Sequence, residues 1–239
     1  MNWSEFGFIH AGGRFNAKEQ TLSARSVHTL VKRWSFFTGC SGSICGSSSP
    51  TVVNGVVYVG SYDGNVYALD AATGTKLWSF PTNGIAYPTP AVASGVVFAG
   101  SNDHNVYALN ASTGAKLWSY TTGYDVVSSP AVANGVVYIG SEDGNVYALK
   151  AVTGAKLWSF STRLVVDSSP AVANGVIYIG SEDDNLYALN ASTGAKLWSF
   201  TAGNEIYSSP AVANGIVYVG AEDGNVYAVN ATTGSKVWS

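Results

Sequence analysis

Short runs of apolar residues, four to seven long and each closed by a glycine-containing turn, fill the chain from Pro50 onward. Runs of this length, rich in valine, isoleucine and tyrosine, are typical of β-strands, and no segment has the spacing of an amphipathic helix. The pattern recurs every 40 residues, with prolines at Pro50, Pro90, Pro130, Pro170 and Pro210 and tryptophans at Trp78, Trp118, Trp158, Trp198 and Trp238. The sequence therefore predicts an all-β repeat protein.

Residues 130–160 show how one repeat is divided. Asn134-Gly135 fits a two-residue hairpin because both positions tolerate positive φ, and Asp143-Gly144 and Thr153-Gly154 mark two further turns. Three turns give four antiparallel strands, named a to d in chain order. Sheets of this kind bury both of their faces by stacking around an axis, so we expect a β-propeller.

We expect a single domain over residues 1–239. An N-terminal extension with a closing strand (1–49) precedes five complete blades at 50–80, 90–120, 130–160, 170–200 and 210–239. Residues 31–36 have the sequence of a strand d, as does the segment around Trp238. The two segments therefore compete to complete the last blade, or the first forms part of a sixth blade, or the chain is a piece of a larger ring. An unclosed edge would favour a homo-oligomer.

The tryptophan in each strand d is interpreted as a wedge between neighbouring blades, because an aromatic residue that occurs once per unit is what a repeated core needs. The residues assigned this docking role are Trp78, Trp118, Trp158, Trp198 and Trp238.

Composition narrows the function classes. With 46% hydrophobic and 11% charged residues, the chain can bury a large core. A net charge of −3 without a run of Lys or Arg argues against nucleic-acid binding. No apolar run reaches the length of a membrane span. The first residues do not look like a signal peptide, so the protein is cytoplasmic or a leader has been removed.

The two cysteines, Cys40 and Cys45, lie in a Gly/Ser-rich loop. A disulfide bond and two free thiols both fit this placement. Two thiols do not complete a zinc site, and the histidines His10, His28 and His104 show no ligand spacing.

The segment GVVYIGSEDGNVYALKAVTGAKLW and its four sister copies resemble the repeat of the quinoprotein (PQQ-type) β-propellers, with its docking motif Tyr-Ala-Leu-Asp/Asn-Ala-x-Thr-Gly-x-x-x-Trp. All five copies keep the Tyr, Ala, Thr-Gly and Trp of this motif. The start of the chain is similar to the opening of the same proteins at Trp3, Gly7, Arg14, Asn16, Leu22, Val27, Leu30 and Trp34. The resemblance covers essentially the whole chain.

The resemblance implies two kinds of function. Quinoprotein dehydrogenases hold pyrroloquinoline quinone (PQQ) between a tryptophan and a disulfide of adjacent cysteines, with calcium bound by Glu, Asn and Asp. Other members, such as the propeller lipoprotein of the outer-membrane barrel-assembly machinery, are non-catalytic scaffolds that bind proteins. Both kinds imply an extracytoplasmic location. We expect a scaffold without a cofactor, and calcium or PQQ binding is the alternative.

The repeats differ mainly in the links that join strand d to the next strand a. In the four links between complete blades, the residue four positions before the proline is apolar and is expected to face the core. The side chains three and five positions before the proline alternate with it, so they lie on the opposite side of the chain. The candidate ligand-binding residues in the links are Tyr87, Tyr124, Asp125, Arg163, Asp167, Glu205 and Tyr207. Variation confined to one class of loop is typical of a functional face, and equally of a surface under relaxed constraint.

Charge is divided between the two ends of the predicted propeller. The b–c turns and the links share one end and carry twelve of the fifteen acidic residues: Asp63, Asp103, Asp125, Glu142, Asp143, Asp167, Glu182, Asp183, Asp184, Glu205, Glu222 and Asp223. The strand d lysines ring the other end. These carboxylates are either solvated turn residues or an acidic funnel that concentrates cations.

The sequence thus favours a non-catalytic module that binds a protein or a small cationic ligand. A quinoprotein-like oxidoreductase, or a remnant of one, is the first alternative, and a recently amplified repeat protein without a ligand is the second. Asp125, Asp167 and Glu205 either share a cation, for which oxygen ligands favour calcium over zinc, or lie too far apart on separate blades.

Overall fold

The computed structural model describes residues 27–239. A 3-10 helix covers Val27–Thr29, and two short strands, β1 (Cys40–Ser41) and β2 (Ile44–Cys45), form a hairpin. The remaining strands form five antiparallel sheets of four strands each. Within this range no helix has the length and apolar character needed to cross a membrane. The prediction of an all-β propeller with five complete four-stranded blades is confirmed.

Each blade keeps its strands in chain order. Blade 1 contains β3 (Thr51–Val53), β4 (Val56–Gly60), β5 (Asn65–Asp70) and β6 (Lys76–Pro81); blade 2 contains β7 (Ala91–Ala93), β8 (Val96–Gly100), β9 (Asn105–Asn110) and β10 (Lys116–Thr121); blade 3 contains β11 (Ala131–Ala133), β12 (Val136–Ser141), β13 (Asn145–Lys150) and β14 (Lys156–Ser161); blade 4 contains β15 (Ala171–Ala173), β16 (Val176–Gly180), β17 (Asn185–Asn190) and β18 (Lys196–Thr201); blade 5 contains β19 (Ala211–Ala213), β20 (Ile216–Gly220), β21 (Val226–Asn230) and β22 (Lys236–Trp238). The first strands of consecutive blades contact one another, so they line the axis.

The a–b hairpins form because their two turn residues accept left-handed backbone. In four of the five turns, an asparagine with φ between 50° and 52° precedes a glycine with φ between 75° and 77°. Such angles match the twist of the flanking strands. In strand d, a bulge before the tryptophan shifts the register against strand c, for example between Ala148 and Leu149. The bulged Leu157 is therefore exposed.

Neighbouring blades are joined by tryptophan. The Trp78 indole Nε1–H donates to the Ala111 carbonyl of blade 2 at 3.0 Å, and Trp158 makes the same bond to Ala191 of blade 4 at 3.0 Å. The ring of Trp158 lies against Gly194, where an added Cβ would come within 2.7 Å of the indole. Trp118 and Trp198 repeat both contacts on the following blades. These four tryptophans are docking residues, as expected.

The predicted docking role of Trp238 is not seen among the described residues. Its side chain is 50% exposed, whereas Trp158 is 9% exposed. Val226 of the same blade is 55% exposed, although its counterparts in the other four blades are fully buried. The cause is that no described residue covers the forward face of blade 5, where "forward face" means the side of a sheet that meets the following blade. The homo-oligomer stays a prediction, and this face is the surface on which it would depend.

The segment before blade 1 supplies the contacts of a preceding strand d. Trp34 Nε1–H donates to the Ala71 carbonyl at 3.0 Å and its ring lies against Gly74. Phe36 meets Tyr67 edge to face at 5.4 Å, as Phe80 meets Tyr107 at 5.3 Å. Residues 31–36 form no regular strand and do not pair with blade 5, whose outer position is held by β22. These contacts fit two of the predicted alternatives, a partial sixth blade and a piece of a larger ring. The predicted motif residues Trp3, Gly7, Arg14, Asn16 and Leu22, and His10, lie outside the described residues.

Two tryptophan substitutions test the docking account. Trp158→Ala removes an aromatic ring and a hydrogen bond from a packed interface, so it should lower the free energy of unfolding by about 3 to 5 kcal/mol. Trp238→Ala, on the open face, should cost about 1 kcal/mol or less. Urea unfolding followed by circular dichroism measures both. Equal losses in the two variants would contradict the assignment.

Candidate functional site on the link face

The links and the b–c turns meet on one end of the propeller, the link face. Each link carbonyl five residues before the proline accepts a backbone N–H from the next blade's b–c turn. Glu142 N–H donates to the Asp125 carbonyl at 2.9 Å, and Glu222 N–H to the Glu205 carbonyl at 2.9 Å. Glu182 N–H donates to the Val165 carbonyl at 3.1 Å. Acidic side chains from a link and from the neighbouring turn are therefore held beside each other.

The aspartate repeated in every b–c turn is a structural residue. Asp143 Oδ1 accepts the Asn145 N–H at 3.0 Å, and Oδ2 accepts the Tyr147 hydroxyl at 2.6 Å and the Gly123 N–H of the preceding link at 2.6 Å. The same arrangement holds the turns at Asp103, Asp183 and Asp223, and Asp63 bonds Asn65 and Tyr67 in the same way. Five of the twelve carboxylates on this face are thus committed to the fold.

These hydrogen bonds favour the charged form of Asp103 and Asp183. Burial opposes ionisation of Asp103 and Asp183, but the tyrosine hydroxyl and backbone amides outweigh it and hold the pKa of each below its ordinary value. The partner tyrosines shift the other way. Burial and the bond to Asp63 raise the pKa of Tyr67 to about 12.

A second set of side chains, five carboxylates and two tyrosines, does not make the hydrogen bonds of the turn aspartates. We call this set the inner-link cluster. It contains Tyr87, Asp125, Glu142, Asp167, Glu182, Glu205 and Tyr207, drawn from the links and b–c turns of successive blades. The negative charges of Asp167, Glu142 and Asp125 all act on the Tyr87 phenol, which comes from the link before blade 2. Side chains from different blades therefore share one electrostatic environment.

Asp167 is the most perturbed carboxyl group of this cluster. Burial, followed by the charges of Glu142 and Glu182, raises its pKa from 3.8 to about 6. Its Oδ1 atom is buried and has no hydrogen-bond partner among the described residues. Glu142 is affected in the same direction, because burial and the charges of Asp125 and Glu182 raise its pKa. The negative charges of Glu142 and Glu182 therefore act on Asp167, whose Oδ1 has no described donor to compensate them.

Tyrosines flank the acidic groups. Tyr87 stacks on Tyr62 of the blade 1 turn, with ring centroids 5.5 Å apart. Burial and the nearby carboxylates raise the pKa of the Tyr87 phenol well above its ordinary value. Tyr207 is 43% exposed, and its hydroxyl group donates a hydrogen bond to the Glu182 carboxylate. The inner-link cluster therefore presents both carboxylates and aromatic rings.

His104 partners the link between blades 2 and 3. Its Nε2 lies 3.1 Å from Asp125 Oδ1, and its ring stacks on Tyr124 at 5.3 Å. It occupies a turn position with φ of 68°, where three other blades have glycine. Tyr124 is exposed and belongs to this contact rather than to the centre of the cluster.

The structure thus brings together five of the predicted link residues and separates two. Tyr87, Asp125, Asp167, Glu205 and Tyr207 share the inner-link cluster, whereas Tyr124 lies at its edge and Arg163 lines a separate groove. Sequence reasoning counted Glu142 and Glu182 only as turn charges and missed His104. The signal was present: at the position of Glu142, blades 1 and 2 have Tyr62 and Asn102, so this turn residue varies as the links do.

Of the two alternatives for Asp125, Asp167 and Glu205, a shared cation site is not formed by the described residues. Within residues 27–239, no three His, Cys, Asp or Glu side chains are grouped to hold a metal ion. Asp125, Asp167 and Glu205 come from three successive links, and Asp125 turns towards His104.

Cys40 and Cys45 form a disulfide bond across the β1–β2 hairpin. This hairpin takes the place of a link before blade 1: Tyr62 N–H donates to the Gly46 carbonyl at 3.0 Å, and Gly39 lies against Asp63. The disulfide therefore closes the hairpin that supports Tyr62, on which Tyr87 stacks.

Comparison with known proteins places the chain among propellers of this type. A family model described as the beta-propeller of the beta-alanine-activating enzyme matches residues 32–239. Quinate/shikimate dehydrogenase (quinone) of Acinetobacter baylyi is 30% identical over 91 residues, 36% of this chain and 11% of that protein. Quinoprotein glucose dehydrogenase of Escherichia coli is 30% identical over 86 residues, 34% of this chain and 11% of that protein. The chain thus spans about a tenth of these relatives' length.

Solved structures share the fold. BamB from Moraxella catarrhalis is 25% identical with a TM-score of 0.70, covering 77% of this chain and 60% of that one. Quinohemoprotein alcohol dehydrogenase from Comamonas testosteroni is 20% identical with a TM-score of 0.84, covering 99% of this chain and 48% of that one. The second similarity concerns the fold alone.

The raised pKa of Asp167 predicts a pH dependence of stability. Because the folded-state pKa of about 6 exceeds the ordinary 3.8, the folded protein binds a proton that the unfolded chain releases. Asp167 therefore destabilises the fold increasingly as pH rises from about 4 to about 7. Asp167→Asn should melt at a higher temperature than the parent protein at neutral pH, and this difference should shrink towards pH 4.

Asp184→Asn is the matched control, because Asp184 lies on the same face at a left-handed position that asparagine tolerates. Its melting temperature should follow that of the parent across the same pH range. Parallel pH profiles for the parent and Asp167→Asn would contradict the assignment.

Proposed function

Because the chain belongs to the β-propeller family of the beta-alanine-activating enzyme, matched over residues 32–239, we propose that it is a non-catalytic binding module. The partner is a protein with a basic surface segment or a small organic cation, and the inner-link cluster is its site. The observation that carries this proposal is the set of carboxylates around Asp167, whose buried Oδ1 has no described partner.

Electrostatics support a cationic partner. The charges of Glu142 and Glu182 raise the cost of ionising Asp167, and those of Asp125 and Glu182 raise the cost of ionising Glu142. A bound cation relieves this repulsion, and carboxylates around a cleft of low dielectric focus the field that attracts it. Arg163, a cation on the link face, lies in a separate groove and does not neutralise the cluster.

The tyrosines favour an organic cation over a metal ion. Tyr87 and Tyr207 flank the carboxylates, and aromatic faces attract ammonium and guanidinium groups. The described carboxylates do not form a metal-binding group. A lysine or arginine side chain offers the apolar stem and charged tip that such a site accommodates.

PQQ binding, the alternative drawn from the quinoprotein relatives, fits these residues poorly. The disulfide joins Cys40 and Cys45 across a hairpin and not adjacent cysteines. Trp34, Trp78, Trp118, Trp158 and Trp198 each lie against a glycine of the following blade and bond its backbone, so their rings are engaged in docking. A quinoprotein-like oxidoreductase therefore finds no support in these residues.

The disulfide also supports an extracytoplasmic location, since such bonds persist in oxidising compartments. We further propose that the five blades act as one domain in binding, because the inner-link cluster takes side chains from several links and turns.

Calorimetric titration of the full chain with a lysine-rich peptide, and separately with spermidine, tests the proposal. The double variant Asp167→Asn/Glu182→Gln should bind at least about tenfold more weakly than the parent, because two contacting charges are lost. The control Asp184→Asn/Glu222→Gln removes the same charge from the link face outside the cluster, and should lose much less.

If both double variants lost the same affinity, the binding would reflect general charge attraction, and the proposed site would be contradicted. Absence of binding for both ligands would favour the repeat protein without a ligand. Stoichiometric binding of PQQ by the parent would overturn the non-catalytic assignment.

A further inference from the structure

A groove along the outer strand of blade 4 runs from Arg163 at the link face towards Lys196 near the opposite end, apart from the inner-link cluster. Its volume is about 410 Å³, within the range of small-molecule sites. It is lined by Arg163 from the link before blade 4, Asp183 and Asp184 from the b–c turn, Asn185 and Tyr187 from β17, and Lys196, Ser199 and Thr201 from β18. All but Arg163 belong to blade 4 itself.

The side chain of Arg163 is not needed by the fold. Its backbone N–H donates to Asp183 Oδ2 at 3.1 Å. At the matching link positions, Asn83, Gly123 and Gly203 make the same backbone bond to the next blade's aspartate. Because glycine makes this backbone bond in two other links, the fold does not need a side chain at this position. The Arg163 side chain is therefore available for another role.

The cations of the groove have no protein counter-ion. Within the described residues, no carboxylate pairs with the Arg163 guanidinium or the Lys196 ammonium group within ion-pair distance. The carboxylate of Asp183 accepts hydrogen bonds from Asn185 N–H at 3.2 Å, Arg163 N–H at 3.1 Å and the Tyr187 hydroxyl at 2.5 Å. Its charge is thus already stabilised, and the two cations remain available to an anion.

The same groove offers groups that recognise hydroxyls. The Ser199 hydroxyl makes no hydrogen bond to another described residue, and the Asp184 carboxylate accepts none. Thr201 Oγ1 donates to Asn185 Oδ1 at 2.7 Å, which fixes the amide and leaves the Thr201 oxygen able to accept. A bound anion without hydroxyls would leave these groups unused.

We propose that this groove binds a small hydroxylated anion, a sugar acid or a sugar phosphate. Arg163 and Lys196 pair with the carboxylate or phosphate group, and Ser199, Asp184 and Thr201 bond the ligand hydroxyls. Arg163 supplies a planar set of donors that fits either anionic group. This site is separate from the cation site of the proposed function and opposite to it in charge.

Amide chemical shifts in solution test the site, with Asn185, Ser199 and Thr201 as reporters. The probes are glucuronate and glucose 6-phosphate, with glucose and inorganic phosphate as controls for the hydroxyls alone and the charge alone. Both anionic sugars should shift the amide signals of the blade 4 reporters at millimolar concentrations. Arg163→Gly should weaken the affinity for both sugars about tenfold or more. Glycine is tolerated at this position in two other links, so the variant should fold.

Blade 2 provides a matched control within the same molecule. It has the same aspartate, asparagine, lysine, serine and threonine at Asp103, Asn105, Lys116, Ser119 and Thr121, with Asn83 in place of Arg163 and His104 in place of Asp184. Its amides should stay unshifted in the parent and should respond in Asn83→Arg/His104→Asp.

Equal responses of the two blades in the parent protein would overturn the role of Arg163. Unchanged affinity in Arg163→Gly would do the same. Glucose that binds as tightly as glucuronate would refute recognition of the anion, and inorganic phosphate that binds as tightly as glucose 6-phosphate would refute recognition of the hydroxyls. No shift of the blade 4 reporters with either sugar anion would overturn the site itself.

Discussion

The contact between a strand d tryptophan and the glycine of the next blade is the interaction on which the rest of the structure depends. At Gly154, Gly194 and their counterparts the backbone has positive φ, and an added Cβ would meet the indole ring. Two independent requirements therefore fix glycine at this position. The indole N–H adds a hydrogen bond to the same blade, so each tryptophan sets both the distance and the direction of its neighbour.

Regular docking leaves the links free to vary in sequence. At Gly123, Asp125 and their counterparts in the other links, the fold uses backbone groups: an N–H for the aspartate of the next turn and a carbonyl for the residue before that aspartate. Side chains such as Asp167 and Arg163 are therefore not constrained by the repeat. This explains why the inner-link cluster and the Arg163 end of the proposed anion groove both lie on the link face of an otherwise repetitive molecule.

The fold could be predicted from short-range chemistry because each turn carries its own signal. Asn134-Gly135 predicted a hairpin, and both residues have the positive φ that such a turn needs. The docking role of Trp238 was not predicted correctly in this way, because burial of this side chain depends on a neighbouring sheet that covers the blade and not on the local sequence. The aspartates of the turns were misread as free charge, since their bonds to a tyrosine four residues later and to the preceding link form only in three dimensions.

The site was harder to predict than the fold. Parity along the links predicted that Asp125, Asp167 and Glu205 point away from the blade core. It could not show that Asp125 meets His104, or that Glu142 and Glu182 from the turns lie beside Asp167. These relations join residues of different blades, and the repeat pattern alone carries no information about them.

The titration of Asp167 measures the central claim most directly. The carbon shift of its carboxyl group, followed by NMR against pH in the full chain, should report a pKa of about 6. Addition of the lysine-rich peptide should lower that pKa, because a bound cation favours the ionised carboxylate. A pKa near the ordinary 3.8, unchanged by the peptide, would contradict the account.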